Sequence, residues 1–185
     1  LSHRLGSHDL RLCRIAMGIQ DLKTQGALPL APLPESVATY GALSLLAAHC
    51  PLHQSYSAAL LNRMFLPAIE HQSVRIFRTA TNQPCAALIW ARLSPKVSSM
   101  MFSQNRPPRA NEWKSGDHLW FLDIIAPFGH GKDIARNLAR NPPNEAFSFA
   151  RIGASGKIRK LVEVKAGSRT NRAFHASFFD PPESG

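Results

Sequence analysis

With 185 residues, the chain is long enough for one domain with a full core and too short for two of ordinary size. Hydrophobic residues at 44% and charged residues at 18% exclude a disordered chain. The 22 Lys and Arg against 12 Asp and Glu, a formal charge of +10, call for acidic partners, whether nucleic acid, anionic membrane or an acidic protein, without choosing among them.

In chain order, LSHRLGSHDLRLCRIAMGIQD scatters charges and histidines through its apolar residues, unlike a secretory leader. TQGALPLAPLPES (24–36) is Pro-rich and reads as an extended linker, which makes residues 1–35 an N-terminal extension. The folded domain is expected over 36–166, opening with Ser36 as the N-cap of a helix in which Leu43, Leu46 and Ala47 recur at helical spacing. Residues 36–62 carry no Asp, Glu, Lys or Arg, but the apolar part, Val37 to Ala48, falls well short of the ~20 residues that span a bilayer. It reads as a buried helix, and no integral membrane segment is expected. Pro51 ends it, leaving His53 in the following loop.

Leu60, Leu61, Met64 and Phe65 line one face of a second helix, with Pro67 kinking or closing it. SVRIFRTATNQPCAALIWARLS (73–94) reads as a hairpin around TNQP, its second strand central because CAALIWA is apolar on both faces. Residues 95–117, with Pro107 and Pro108, read as a long irregular connection. LWFLDIIAPFG then reads as a strand, GHGKDIARNLAR as a loop feeding a helix, and AFSFARI and KIRKLVEVKA as two strands around GASG. The tail, 167–185, reads as frayed. This order defines an α/β domain around a mixed sheet.

The chemistry-bearing residues are few. Three cysteines, Cys13, Cys50 and Cys85, at irregular spacing form no disulfide framework, so a reducing, cytoplasmic setting is expected. HCPLH (49–53) offers two imidazoles and a thiol, but Pro51 breaks the i, i+4 geometry and no complementary pair follows, so no metal site is expected. Cys50 is either a nucleophile or a small buried apolar residue. Asp123 lies in the greasy strand, and alternation along it puts Asp123 on the face of Leu119, Phe121 and Ile125, opposite Trp120, Leu122 and Ile124. A carboxylate there needs a mate: it pairs with an Arg or caps backbone, or it steadies a catalytic imidazolium. PFGHGK (127–132) joins strand to helix with the glycines of a tight turn or of an anion cradle, assisted by Lys132; it is neither a phosphate loop nor a dinucleotide fingerprint.

CPLH, LPAI (66–69), WARLS (90–94) and above all WKSGDHLWFLDIIAPFG (113–129), in this order from about residue 43 to 165, resemble the toxin-activating lysine acyltransferases of RTX (repeats-in-toxin) haemolysin systems. The resemblance implies a GNAT-like fold, a mainly antiparallel central sheet flanked by helices. It also implies transfer of a fatty acyl chain from acyl carrier protein, a co-substrate and not a bound cofactor, to internal lysines of an RTX protoxin, by an enzyme whose relatives form homodimers. His53, in P-L-H, and Asp123, in W-F-x-D, fall on the catalytic positions; Cys50 and Trp120 are supporting candidates, and Cys50 stands where a serine often precedes P-L-H. Gly129, Gly131, Lys132 and Arg136 are candidates for meeting the phosphopantetheine or its acidic carrier. The alternatives are a basic nucleic-acid-binding module, against which the tract GKIRKLVEVK lacks aromatics, and a non-catalytic toxin chaperone of the same fold.

Overall fold

The computed structural model describes residues 33–104, 106–141, 143–152, 158–165 and 174–177. The first 32 residues, with most of the Pro-rich linker, and the turn at GASG lie outside the described residues. Helix α1 (Pro34–His49) begins two residues before Ser36, because Pro34 has no N–H to lose at a helix start and Glu35 suits the positive end of the dipole. After a single 3-10 turn (His53–Ser55), helix α2 (Ala58–Glu70) is capped by Ser57, whose hydroxyl accepts from Leu60 N–H, and it runs on past the buried Pro67.

Strands β1 (Val74–Arg78) and β2 (Pro84–Leu93) form the expected hairpin, and β2 is central. The following stretch is not wholly irregular: helix α3 (Pro95–Ser103) occupies it, started by the Ser94 side chain accepting from Val97 N–H and by Pro95 in the first turn. Residues 106–109 do remain irregular, as Pro107 and Pro108 require. Strand β3 (His118–Ile125), helix α4 (Gly131–Arg140), and strands β4 (Phe147–Ile152) and β5 (Ile158–Val164) follow as read. The tail adds an element the sequence reading lacks, β6 (Phe174–Ser177), antiparallel on β5.

The sheet has six strands in the order β1 to β6, all pairs antiparallel except β3–β4, so the mixed, mainly antiparallel α/β expectation holds. Hydrocarbon covers both faces. On one, Leu43 and Leu46 of α1, Phe65 and Ala68 of α2 and Val97 of α3 pack on Ile89, Ala91, Trp120 and Ile125. On the other, Leu138 of α4 packs with Leu88, Leu119, Phe121 and Phe147. β2 is apolar from Cys85 to Ala91 because it is covered twice, and Arg92 near its end is exposed.

Two features of β3 position the site. In its ladder with β2, Ile89 faces Asp123 and Trp90 faces Phe121, so Leu122 is an extra residue in a β-bulge. Simple alternation put Asp123 with Leu119 and Phe121; the bulge moves it to the face of Trp120 and Ile125, where α1, α2 and α3 lie. The parallel ladder to β4 then ends at Phe121–Phe149, so the rest of β3 lacks that neighbour and the sheet opens beside the bulge.

Candidate active site

The bulge aims Asp123 at the turn after α1, and His53 is there. Nε2 of His53 lies 2.7 Å from Oδ2 of Asp123, across 70 positions of sequence, and Nδ1 lies 2.9 Å from Sγ of Cys50. Backbone bonds fix this turn: Cys50 N–H donates to Ala47 C=O, and the Cys50 carbonyl accepts from the N–H of both His53 and Gln54. Pro51, between them, limits the backbone further. His53 is 2% exposed. Asp123 therefore has an imidazole for its mate, not an arginine.

Burial alone would lower the imidazole pKa, since it penalises the charged form. The hydrogen bond and charge of Asp123, with smaller help from Cys50, outweigh it and raise His53 from 6.5 to about 9. Tyr56, edge-on to His53 with ring centroids 5.2 Å apart, is raised from its ordinary value by burial first and then by the Asp123 charge.

Beside the pair is a cavity of about 260 Å³ lined by Leu60 and Met64 of α2, Met101 and Phe102 of α3, and Leu122 and Asp123 of β3, among others. Tyr56 and Trp120 also line it, and the buried indole N–H of Trp120 has no hydrogen-bond partner among the described residues. The wall is mostly hydrocarbon, with Asp123 and Arg106 as its charged residues, and two flexible thioethers let it adapt to an apolar guest.

The structure thus brings His53, Asp123 and Cys50 together and puts Trp120 on the adjoining wall. Gly129, Gly131, Lys132 and Arg136 lie elsewhere: none lines the cavity. Gly129 has φ +86, the left-handed region that favours glycine, in the turn before α4. Phe128, in the same turn, comes within 5.8 Å of the His49 ring at the end of α1. Lys132 and Arg136 are exposed on α4, Arg136 paired with Asp133 at 2.9 Å. Among the described residues, no group of His, Cys, Asp and Glu is placed to hold a metal ion. The sequence reading missed Tyr56, and it missed Met101 and Phe102 because they lie on the unanticipated α3. The three-residue offset of Tyr56 from His53 is the one signal that would have found it, since residues so spaced are stacked in a 3-10 turn.

Asp123 lines this cavity and His53 stands directly behind it, a buried imidazole–carboxylate pair at the edge of an apolar pocket. Sequence relationships give the class of protein. The model of the RTX toxin acyltransferase family matches residues 34–173, and the chain belongs to that family. It is 34% identical over 128 residues to an RTX-I toxin-activating lysine-acyltransferase of Actinobacillus pleuropneumoniae, covering 69% of this chain and 73% of the relative. An RTX-III toxin-activating lysine-acyltransferase of the same organism is 30% identical over 135 residues, 73% and 78% of the two chains. A protein-lysine myristoyltransferase of Escherichia coli is 32% identical over 127 residues, 69% and 72%. The chain is an acyltransferase, and family membership does not favour the nucleic-acid or chaperone alternatives. No helix among the described residues is long and apolar enough to cross a membrane.

Proposed function

We propose that the protein transfers a fatty acyl chain from acyl carrier protein to the ε-amines of internal lysines in an RTX-type protoxin, in the cytoplasm, and thereby activates the toxin. His53 acts as general base and Asp123 orients it. The single observation that supports this reading is the 2.7 Å His53–Asp123 bond, whose carboxylate lines a largely apolar cavity, in a chain related to lysine acyltransferases.

The energetics explain why such a pair is needed. A lysine ammonium has a pKa of ~10.4, so freeing its amine at neutral pH costs about 4–5 kcal/mol. From neutral His53, whose pKa is about 9, taking the lysine proton is uphill by only about 2 kcal/mol, so the cost divides into two smaller steps, loss of the imidazolium proton and transfer from lysine. Asp123 supplies this basicity by stabilising the imidazolium that forms, and it fixes the ring so that Nδ1 is the nitrogen left for exchange. The acyl chain lies along Leu60, Met64, Met101 and Phe102.

The test uses myristoyl-loaded carrier protein, chosen because one relative is a protein-lysine myristoyltransferase, with a lysine-bearing protoxin segment and mass spectrometry as readout. Wild type should add the chain to lysine. His53→Ala and Asp123→Asn should each lower the rate at least ~100-fold, the scale of general-base catalysis, with circular dichroism unchanged. Undiminished activity in either variant removes that residue from the mechanism.

A further inference from the structure

His53 has two ring nitrogens and both are engaged. Asp123 holds Nε2 at 2.7 Å, so a proton can be exchanged with substrate only at Nδ1, and 2.9 Å from Nδ1 stands Sγ of Cys50. A lysine would have to displace the thiol to reach the base. The thiol needs to displace nothing. Carboxylate, imidazole and sulfur in this order, each within hydrogen-bond reach of the next, are the arrangement that activates a nucleophile. Cys85 shows the contrast: it is buried and bonds to the Phe77 carbonyl at 3.5 Å, whereas Cys50 is half-buried and has a base.

We propose that Cys50 is the nucleophile that first accepts the acyl chain, so that the chain reaches lysine through a Cys50 thioester. This deepens the lysine acyltransferase reading and rests on it for the identity of donor and target. In the first half-reaction Cys50 reacts as the thiolate of a thiolate–imidazolium pair, Nδ1 of His53 already holding the proton, and Sγ attacks the carbonyl carbon of the donor thioester. The new C–S bond forms as the donor's C–S bond breaks, and the departing thiolate leaves as a thiol with the His53 proton. One thioester is exchanged for another, so no further energy source is required. In the second half-reaction the acylated sulfur has no proton to give, and Nδ1 is open to a lysine ammonium. It takes one proton, the amine attacks, and the C–N bond forms as the C–S bond to Cys50 breaks. Cys50 departs as a thiolate beside protonated His53, and the second amine proton goes to solvent.

This order also resolves a difficulty of the one-step route. An imidazole raised to about 9 is roughly 99% protonated at neutral pH and poorly available as a base. A thiol has a pKa of ~8.5, so the departing donor thiolate is well matched to remove that proton. Neutral His53 then appears when lysine needs it.

The experiment incubates the full chain with myristoyl-loaded carrier protein without protoxin. Acid-quenched samples are mapped by mass spectrometry, and transfer of myristoyl to isotope-labelled unloaded carrier protein is followed in parallel. The expected result is a myristoyl group on the Cys50 peptide, released by neutral hydroxylamine and chased to lysine when protoxin is added. Exchange between carrier proteins should accompany it, and Cys50→Ala should abolish both adduct and exchange. Cys50→Ser, which retains a group able to bond Nδ1, should lose the hydroxylamine-labile adduct and at least tenfold in lysine acylation. Lysine acylation by wild type with neither adduct nor exchange, or a Cys50→Ala rate within about threefold of wild type, overturns the proposal and leaves the acyltransferase reading intact. Adduct and exchange without transfer to lysine would uphold Cys50 as the acyl acceptor and overturn the protoxin lysine as its target. With no adduct, exchange or lysine acylation, both are overturned.

Discussion

His53 owes its chemistry to one neighbour more than to its burial. Sealed from water, the imidazole would shed its proton more readily; the Asp123 charge reverses that sign and carries the pKa to about 9. The same bond links the site to stability. Because the folded value lies above the unfolded one, the contribution is complete below pH about 6.5 and is lost as the pH rises through about 9. The difference corresponds to roughly 3 kcal/mol. Urea titrations of wild type at pH about 6 and about 10 should therefore differ by that order, with most of the difference absent from Asp123→Asn. Identical pH dependence in the two proteins would mean that the bond does not persist in solution. In the sequence, the W-F-x-D and P-L-H motifs marked both partners, but period-two counting aimed the carboxylate at the wrong face. A bulge sets two residues against one, and nothing in LWFLDII signals that Leu122 is the extra residue.

At the scale of elements, the hairpin, β3 and α4 were legible because each is bounded by turn residues and has one dominant periodicity. α3 was not: two prolines farther on, Pro107 and Pro108, made the whole segment look irregular. Its own start signals, Ser94 as cap and Pro95 in the first turn, were present in the sequence. β6 was illegible for a different reason, since a four-residue strand is specified mainly by the edge of β5 on which it pairs. The α3 region depends on a close crossing. A Cβ added at Gly116 would lie 2.6 Å from the backbone N and Cα of Ser94, the residue that caps α3. Neither contact is the end of a flexible side chain, so the Ser115–Asp117 turn and the α3 cap would have to move apart. Gly116→Ala should destabilise the protein by about 1–3 kcal/mol, the usual range for overpacking, read as a lowered urea midpoint with unchanged slope. A wild-type midpoint would show that the two segments are not held this closely. The magnitude also bears on function, because α3 supplies Met101 and Phe102 to the cavity.

At the scale of the molecule, the sheet is covered on both faces, and the site opens where that closure fails, at the parting of β3 from β4. The cavity is apolar while the chain as a whole carries +10, so the two substrates of the proposed reaction would feel different forces. A fatty chain responds to hydrocarbon and hardly to salt. An acidic carrier protein responds to the field of the basic surface, which is screened beyond ~10 Å at 0.1 M ionic strength. Raising salt from ~50 to ~300 mM should therefore lower kcat/KM for acyl carrier protein several-fold, because steering acts on the encounter rate. With acyl-pantetheine, which lacks the acidic protein, the same change should leave kcat/KM nearly constant. Lys132→Glu, on the exposed face of α4, should reduce the salt slope for the carrier protein alone. Equal salt slopes for the two donors would remove charge from the account of donor selection and leave the basic surface to the protoxin, whose binding could then be measured against salt in the same way.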